Sequence, residues 1–130
     1  MSLLENWFEW FRRNRFIYHM LFLSPMDHSL DIYKLFFGSL ANPNRLRIII
    51  TLRKEAMNVT EICKKLGFEQ TMVSHNLKRL EQCGMVFAEQ KGKNRYYSLN
   101  NKTIKPLMEL IDKHTYQYCR HIVPGVENHL

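Results

Sequence analysis

Cysteine is sparse in this chain: Cys63, Cys83 and Cys119 are an odd number, spread far apart, with no Cys-x-x-Cys pair. Neither a disulfide framework nor a zinc finger is expected from that pattern, and an intracellular, reduced protein suits it better. Apolar runs are short as well, none approaching the roughly 20 residues that cross a bilayer. The N-terminus has arginines but no clean apolar run followed by a small-residue cleavage site, so the expected location is the cytoplasm. Also missing are a Gly-rich phosphate loop, a His-Glu-x-x-His pair, and any Ser, Cys or carboxylate grouping spaced as a nucleophile with its base. The chain is therefore not expected to be an enzyme, and no cofactor is expected. Internal repeats and low-complexity linkers are absent too.

What the sequence has is positive charge. Its 130 residues carry a formal net charge of +7 and are 45% apolar, enough for one core with appendages. A basic balance favours an anionic partner, either nucleic acid or a membrane surface, and by itself says nothing about fold.

Punctuation residues divide the chain. The first segment, "SLLENWFEWFRRNRFIYHMLFLS", is helix-permissive and aromatic-rich until Pro25 stops it. Its apolar residues cover more than one narrow stripe, which suits an added helix packed on the domain or on a dimer partner. Arg12, Arg13 and Arg15 beside Trp and Phe also suit a helix lying on a membrane surface. A second helix is expected from about Asp27 to Ser39, and a third from Pro43 to about Arg53 with Asn42 as its cap. Asn58 or Thr60 can cap a short helix, with Glu61 as the capping-box partner of Asn58 and Gly67 as the stop. Another helix follows and ends at Gly84. "MVFAEQ" and "RYYSLN" around "KGKN" read as a β-hairpin, and a last helix is expected from about Thr103 to Ile122. The expected organisation is an extension over residues 1–25, a domain over 26–123 and a tail over 124–130.

A short helix, a tight turn through Gly67 and a polar-faced helix make a helix-turn-helix, and the hairpin after it makes a wing. Val73, Leu77 and Leu80 mark one buried stripe of the polar-faced helix, leaving Thr71, Ser74, His75, Lys78 and Gln82 outward and Gln70 at the margin. In such units the N-terminal residues of the second helix meet base edges in the major groove. Gln70, Thr71, Ser74 and His75 are the expected base readers, since Gln pairs well with adenine and Ser or Thr can serve several bases. Lys78, one turn on, suits phosphate. On the wing, Lys91, Lys93, Asn94 and Arg95 are the expected backbone contacts, in a stretch from Gln90 to Lys105 that contains no acid. Tyr96 and Tyr97 alternate faces, so one is expected in the core while the other flanks DNA.

Three segments together resemble the ArsR-type (ArsR/SmtB) winged-helix transcriptional regulators: "LANPNRLRIIITL" (Leu40 to Leu52), "VTEICKKLGFEQTMVSHNLKRLEQCGMV" (Val59 to Val86) and "KGKNRYYSLN" (Lys91 to Asn100). The resemblance covers about Phe36 to Asn100. It implies a mainly α winged helix-turn-helix with a small β-hairpin, an extra N-terminal helix and a C-terminal dimerisation helix. It further implies a homodimer that binds double-stranded DNA and acts as a repressor, with an effector that the residues do not identify. The matching interface positions are Leu35 and Phe36 before "LANPNR", and Leu107, Met108, Ile111 and Tyr118 on the last helix. One departure is Glu69, where family members often have Ser or Thr; an acid there complements the helix dipole while repelling phosphate.

Two metal sites known in relatives are not reproduced. Positions matching a Cys-x-Cys pair hold Asn58 and Thr60, neither a thiolate ligand. "DKH" (Asp112, Lys113, His114) matches the start of a second site, but its partner histidine would fall at Gly125, beyond Pro124. His114 and His121 share a face roughly 10 Å apart, while Cys119 points elsewhere. No metal is expected. Cys63 is expected buried on the short helix, and it shows no pairing signal with Cys83. The competing reading is a dimeric interaction or membrane-surface module that uses the aromatic N-terminal segment.

Overall fold

The computed structural model describes residues 28–119 and 121–122. The expected N-terminal helix, the extension over 1–25 and the tail over 124–130 lie outside the described residues, as does the stop at Pro124 and Gly125. The described residues fall into two compact units, divided between Leu46 and Arg47.

In the first unit, α1 runs from His28 to Ala41, and α2 (Pro43–Leu52) begins there and continues into the second. Asn42 caps α2 as expected: its Oδ1 accepts the amides of Asn44 and Arg45, each at 3.1 Å. Helix ends leave carbonyls without partners, and Arg45 serves two of them. Its Nε donates to the Ser39 carbonyl at 2.7 Å and its Nη2 to that of Gly38 at 3.2 Å. The outer side of α1 carries Leu30, Tyr33 and Phe37, exposed at helical spacing, and the rings of Tyr33 and Phe37 are stacked.

The second unit contains β1 (Met57–Asn58), α3 (Val59–Leu66), α4 (Gln70–Gln82), β2 (Val86–Lys91), β3 (Asn94–Leu99), α5 (Ile104–His114) and a π-helical turn, Thr115–Cys119. It is a winged helix-turn-helix. Ile48, Ile49, Ile62, Val73, Leu77, Leu80, Met85 and Val86 have no exposed surface and form its core. Each such side chain contributes about 1.5–3 kcal/mol through burial. The strands form an antiparallel sheet in the order β1-β3-β2. Four side-chain hydrogen bonds fix the layout. Asn100 donates from Nδ2 to the Gly84 carbonyl at 2.9 Å, while its Oδ1 accepts the amides of Lys102 and Thr103. Arg53 Nη2 meets Asp112 Oδ2 at 2.6 Å, tying the chain just after α2 to α5.

Three expectations need correction. The hairpin has a third strand, β1, which at two residues is too short to show alternation in the sequence. The last helix is α-helical only to His114 before the π turn, a change that no breaker residue marks in the sequence. Met108, an expected interface residue, is buried within the chain: it follows Ile104 by four positions, so the two share the inward stripe of α5. The exposed large apolar and aromatic side chains of this region are Leu110, Ile111, Tyr116, Tyr118 and Ile122.

Candidate nucleic-acid interface

The helix-turn-helix is built by its caps. Asn58 Oδ1 accepts the Glu61 amide at 2.9 Å and Glu61 Oε2 accepts the Asn58 amide at 2.9 Å, a reciprocal capping box that starts α3. Gly67 ends it in the left-handed region, φ 67° and ψ 30°, with its amide on the Cys63 carbonyl. A side chain at that position meets no neighbouring atoms, so the need for glycine is conformational. The turn passes through Phe68 and Glu69, and α4 begins without a side-chain cap from Glu69. Its first-turn amides are left uncapped by Glu69, whose carboxylate nevertheless complements the helix dipole at that end.

On α4, Val73, Leu77 and Leu80 are fully buried, as the spacing requires. Gln70, Thr71, Ser74, His75 and Lys78 are all exposed on the other side, and Gln70 is fully part of that face. Asn76 was not singled out by the sequence pattern. It is 7% exposed, and its Nδ2 donates to the Met72 carbonyl one turn back at 2.9 Å. The signal was its place beside Leu77 and Leu80 on the inner side; a short amide can occupy it by bonding its own helix. Cys63, Cys83 and Cys119 are half-buried, so Cys63 is less enclosed than expected.

The wing turns through Gly92 and Lys93, with a positive φ of 62° at Gly92 only, as a type II′ hairpin requires. Gln90 Nε2 donates to the Gly92 carbonyl at 3.0 Å and braces the tip. Lys91, Lys93, Asn94 and Arg95 are exposed. Lys91 lies 4.0 Å from Glu89, and its ammonium sits 5.8 Å from the centre of the Tyr96 ring. Arg95 has a stronger partner: its Nη2 is 3.0 Å from Glu81 Oε1, in the last turn of α4. Tyr97 pairs across the sheet with Ala88 and Met57, on the face that carries Val86 and Leu99, whereas Tyr96 pairs with Glu89 on the opposite face. Both tyrosines are half-buried, so neither is wholly in the core.

The described residues hold no group of three or more His, Cys, Asp and Glu side chains placed to bind a metal. No described helix is long and apolar enough to cross a membrane.

Residues 42–87 match the family described as "Bacterial regulatory protein, arsR family", a span covering the helix-turn-helix and the first residues of the wing. The nodulation protein NolR of Rhizobium meliloti is 30% identical over 87 residues, which cover 66% of this chain and 71% of NolR. The chain belongs to the ArsR family. The HTH-type transcriptional regulator NmtR of Mycobacterium tuberculosis is 35% identical over 71 residues, 55% of this ArsR-family chain and 59% of NmtR. The chain thus spans about three-fifths of that relative's length. Among solved structures, the homodimeric winged helix-turn-helix DNA-binding domain of Mb0332 from Mycobacterium bovis is 26% identical with a TM-score of 0.66, covering 75% of this chain and 93% of that one.

Proposed function

We propose that this ArsR-family chain is a homodimeric transcriptional regulator, a repressor, that binds double-stranded DNA in a sequence-specific way. The observation that carries the reading is the exposed row of Gln70, Thr71, Ser74 and His75 on a helix whose opposite side is locked by Val73, Leu77 and Leu80. In this reading those four residues meet base edges in the major groove. Lys78, Lys91, Lys93 and Asn94 hold phosphate and contribute affinity that falls with salt.

Dimerisation is supported by two apolar surfaces. Leu30, Tyr33 and Phe37 lie exposed on α1, and Leu110, Ile111 and Tyr118 lie exposed on α5 and the turn after it. Leu35, Phe36 and Leu107 are half-buried and stand beside these rows, whereas Met108 serves the core. The names of relatives agree with a regulatory role, and the Mb0332 domain is described as a homodimer. Such a regulator catalyses no reaction and works in the cytoplasm, where its operator would be.

The test is fluorescence anisotropy with a duplex from upstream of the protein's own gene and a scrambled control, across a salt series. Preference for the upstream duplex that persists as salt rises supports the proposal. Equal, steeply salt-sensitive binding to both would overturn sequence recognition.

A further inference from the structure

We propose that Arg95 and Glu81 form a latch that sets the wing against the recognition helix α4, making Arg95 a positioning residue and not a phosphate contact. This inference rests on the DNA-binding reading above.

Arg95 is one of the cations on the wing, and charge alone would send it to the phosphate backbone. Its geometry points elsewhere. Side chains alternate along a strand, so Arg95 shares a face with Tyr97 and Leu99, and in the register it stands opposite Gln90. Lys91 and Asn94 form the next pair and belong to the opposite face. Arg95 therefore turns to the side of the sheet that carries the buried Val86 and Leu99. There it has two contacts: Glu81 Oε1 at 3.0 Å and the Tyr97 ring, whose centre is 5.8 Å from the guanidinium carbon. A planar guanidinium can stack on a ring while its edge meets a carboxylate, a combination that an ammonium cannot reproduce.

Glu81 gives the contact its meaning. It lies in the last turn of α4, in a helix-turn-helix whose other face is meant for an anion. An unpaired carboxylate there would repel phosphate. Paired, it is neutralised and joins the far end of α4 to β3 near the wing tip. Arg95 and Glu81 side chains are 53% and 37% exposed, so water screens the pair and it adds little to stability. Its value is orientational: it limits the swing of the wing beyond the short β1 pairing, and the wing's tip, Gly92 and Lys93, has to meet DNA at the same time as Gln70 and Ser74.

The two roles predict opposite signs for one substitution. If Arg95 bound phosphate, Glu81→Ala would release it and raise affinity. If the pair is a latch, Glu81→Ala loosens the wing and lowers affinity. The experiment uses the full chain as wild type, Arg95→Ala, Glu81→Ala, the double variant, and the reversed pair Glu81→Arg with Arg95→Glu. Affinity for the upstream duplex is measured across a salt series, with Lys93→Ala as a phosphate-contact control. Each single variant is expected to lose about two- to fivefold in affinity, the range open to an exposed ion pair. The double variant should lose no more than either single. The salt slope should stay at the wild-type value, while Lys93→Ala reduces it by about 0.9. The reversed pair should recover most of the loss.

A smaller salt slope in Arg95→Ala, with unchanged or tighter binding by Glu81→Ala, would overturn the latch. Amide hydrogen exchange of the wing without DNA separates its failure from that of the functional reading. Faster exchange in β2 and β3 in both single variants, reversed in the swapped pair, supports the latch even if no duplex binds. Unchanged wing exchange overturns it even if DNA binding is sequence-specific.

Discussion

Arg53 and Asp112 stand 59 positions apart and meet at 2.6 Å, a contact that fixes the C-terminal helix to the end of α2. Their side chains are 26% and 31% exposed, so the pair is partly shielded and should be worth more than a wholly exposed one. Asp112 is also the first residue of the Asp-x-His pattern in the sequence, and here it acts as a strut. Arg53→Ala and Asp112→Ala should each lower unfolding stability by about 1 kcal/mol, with the double variant costing less than the sum. Urea denaturation of the four proteins checks this, and strict additivity would deny the coupling.

The base-reading assignment separates from the phosphate assignment by selectivity. Gln70→Ala and Ser74→Ala should bring the upstream and scrambled duplexes closer in affinity, since each good bidentate pairing with a base supplies about 1–3 kcal/mol of discrimination. Lys93→Ala should weaken all duplexes alike and flatten the salt dependence. Equal losses on every duplex for Gln70→Ala would remove it from the reading set.

The start and stop of α3 position the recognition helix, so they should matter without touching DNA. Asn58→Ala removes a cap bond to the Glu61 amide and should cost about 1 kcal/mol. Gly67→Ala forces a Cβ into the left-handed region and should cost about 1–2 kcal/mol, with no steric clash to add to it. Thermal melts report both. If Gly67→Ala left the midpoint unchanged, the backbone there would have relaxed out of the positive-φ turn.

These caps are also where the sequence was most readable. Asn42, the Asn58 and Glu61 pair, and Gly67 act through neighbours two to four residues away, so spacing alone displays them. The Val73, Leu77 and Leu80 stripe is legible for the same reason, and with it the exposed row of Gln70, Thr71, Ser74 and His75. What stayed hidden depends on distance or on direction. Arg95 reads as one cation among several until the fold brings Glu81 beside it. Met108 and Leu110 are both apolar, and only the placement of α5 decides that the first faces in and the second out. Strand β1 has two residues, and a pattern with period two needs more than that to appear.

That difference of direction on α5 gives the test of assembly. Leu110 is 63% exposed and Met108 is 6% exposed, although two positions separate them. Placing a charge at each should therefore have different effects. Leu110→Asp puts a carboxylate on a surface that a second copy would cover, so it should shift the full chain toward monomer in sedimentation velocity at micromolar concentration. Its thermal midpoint at low protein concentration should change little. Met108→Asp buries an unpaired charge in the protomer and should lower the midpoint at every concentration, several kcal/mol being the usual cost of such a burial. Tyr33→Asp on α1 should behave as Leu110→Asp does. If both surface variants stayed dimeric, the second copy would have to engage a different face. If the monomeric variants also kept full DNA affinity, two recognition helices would not be acting together on one operator.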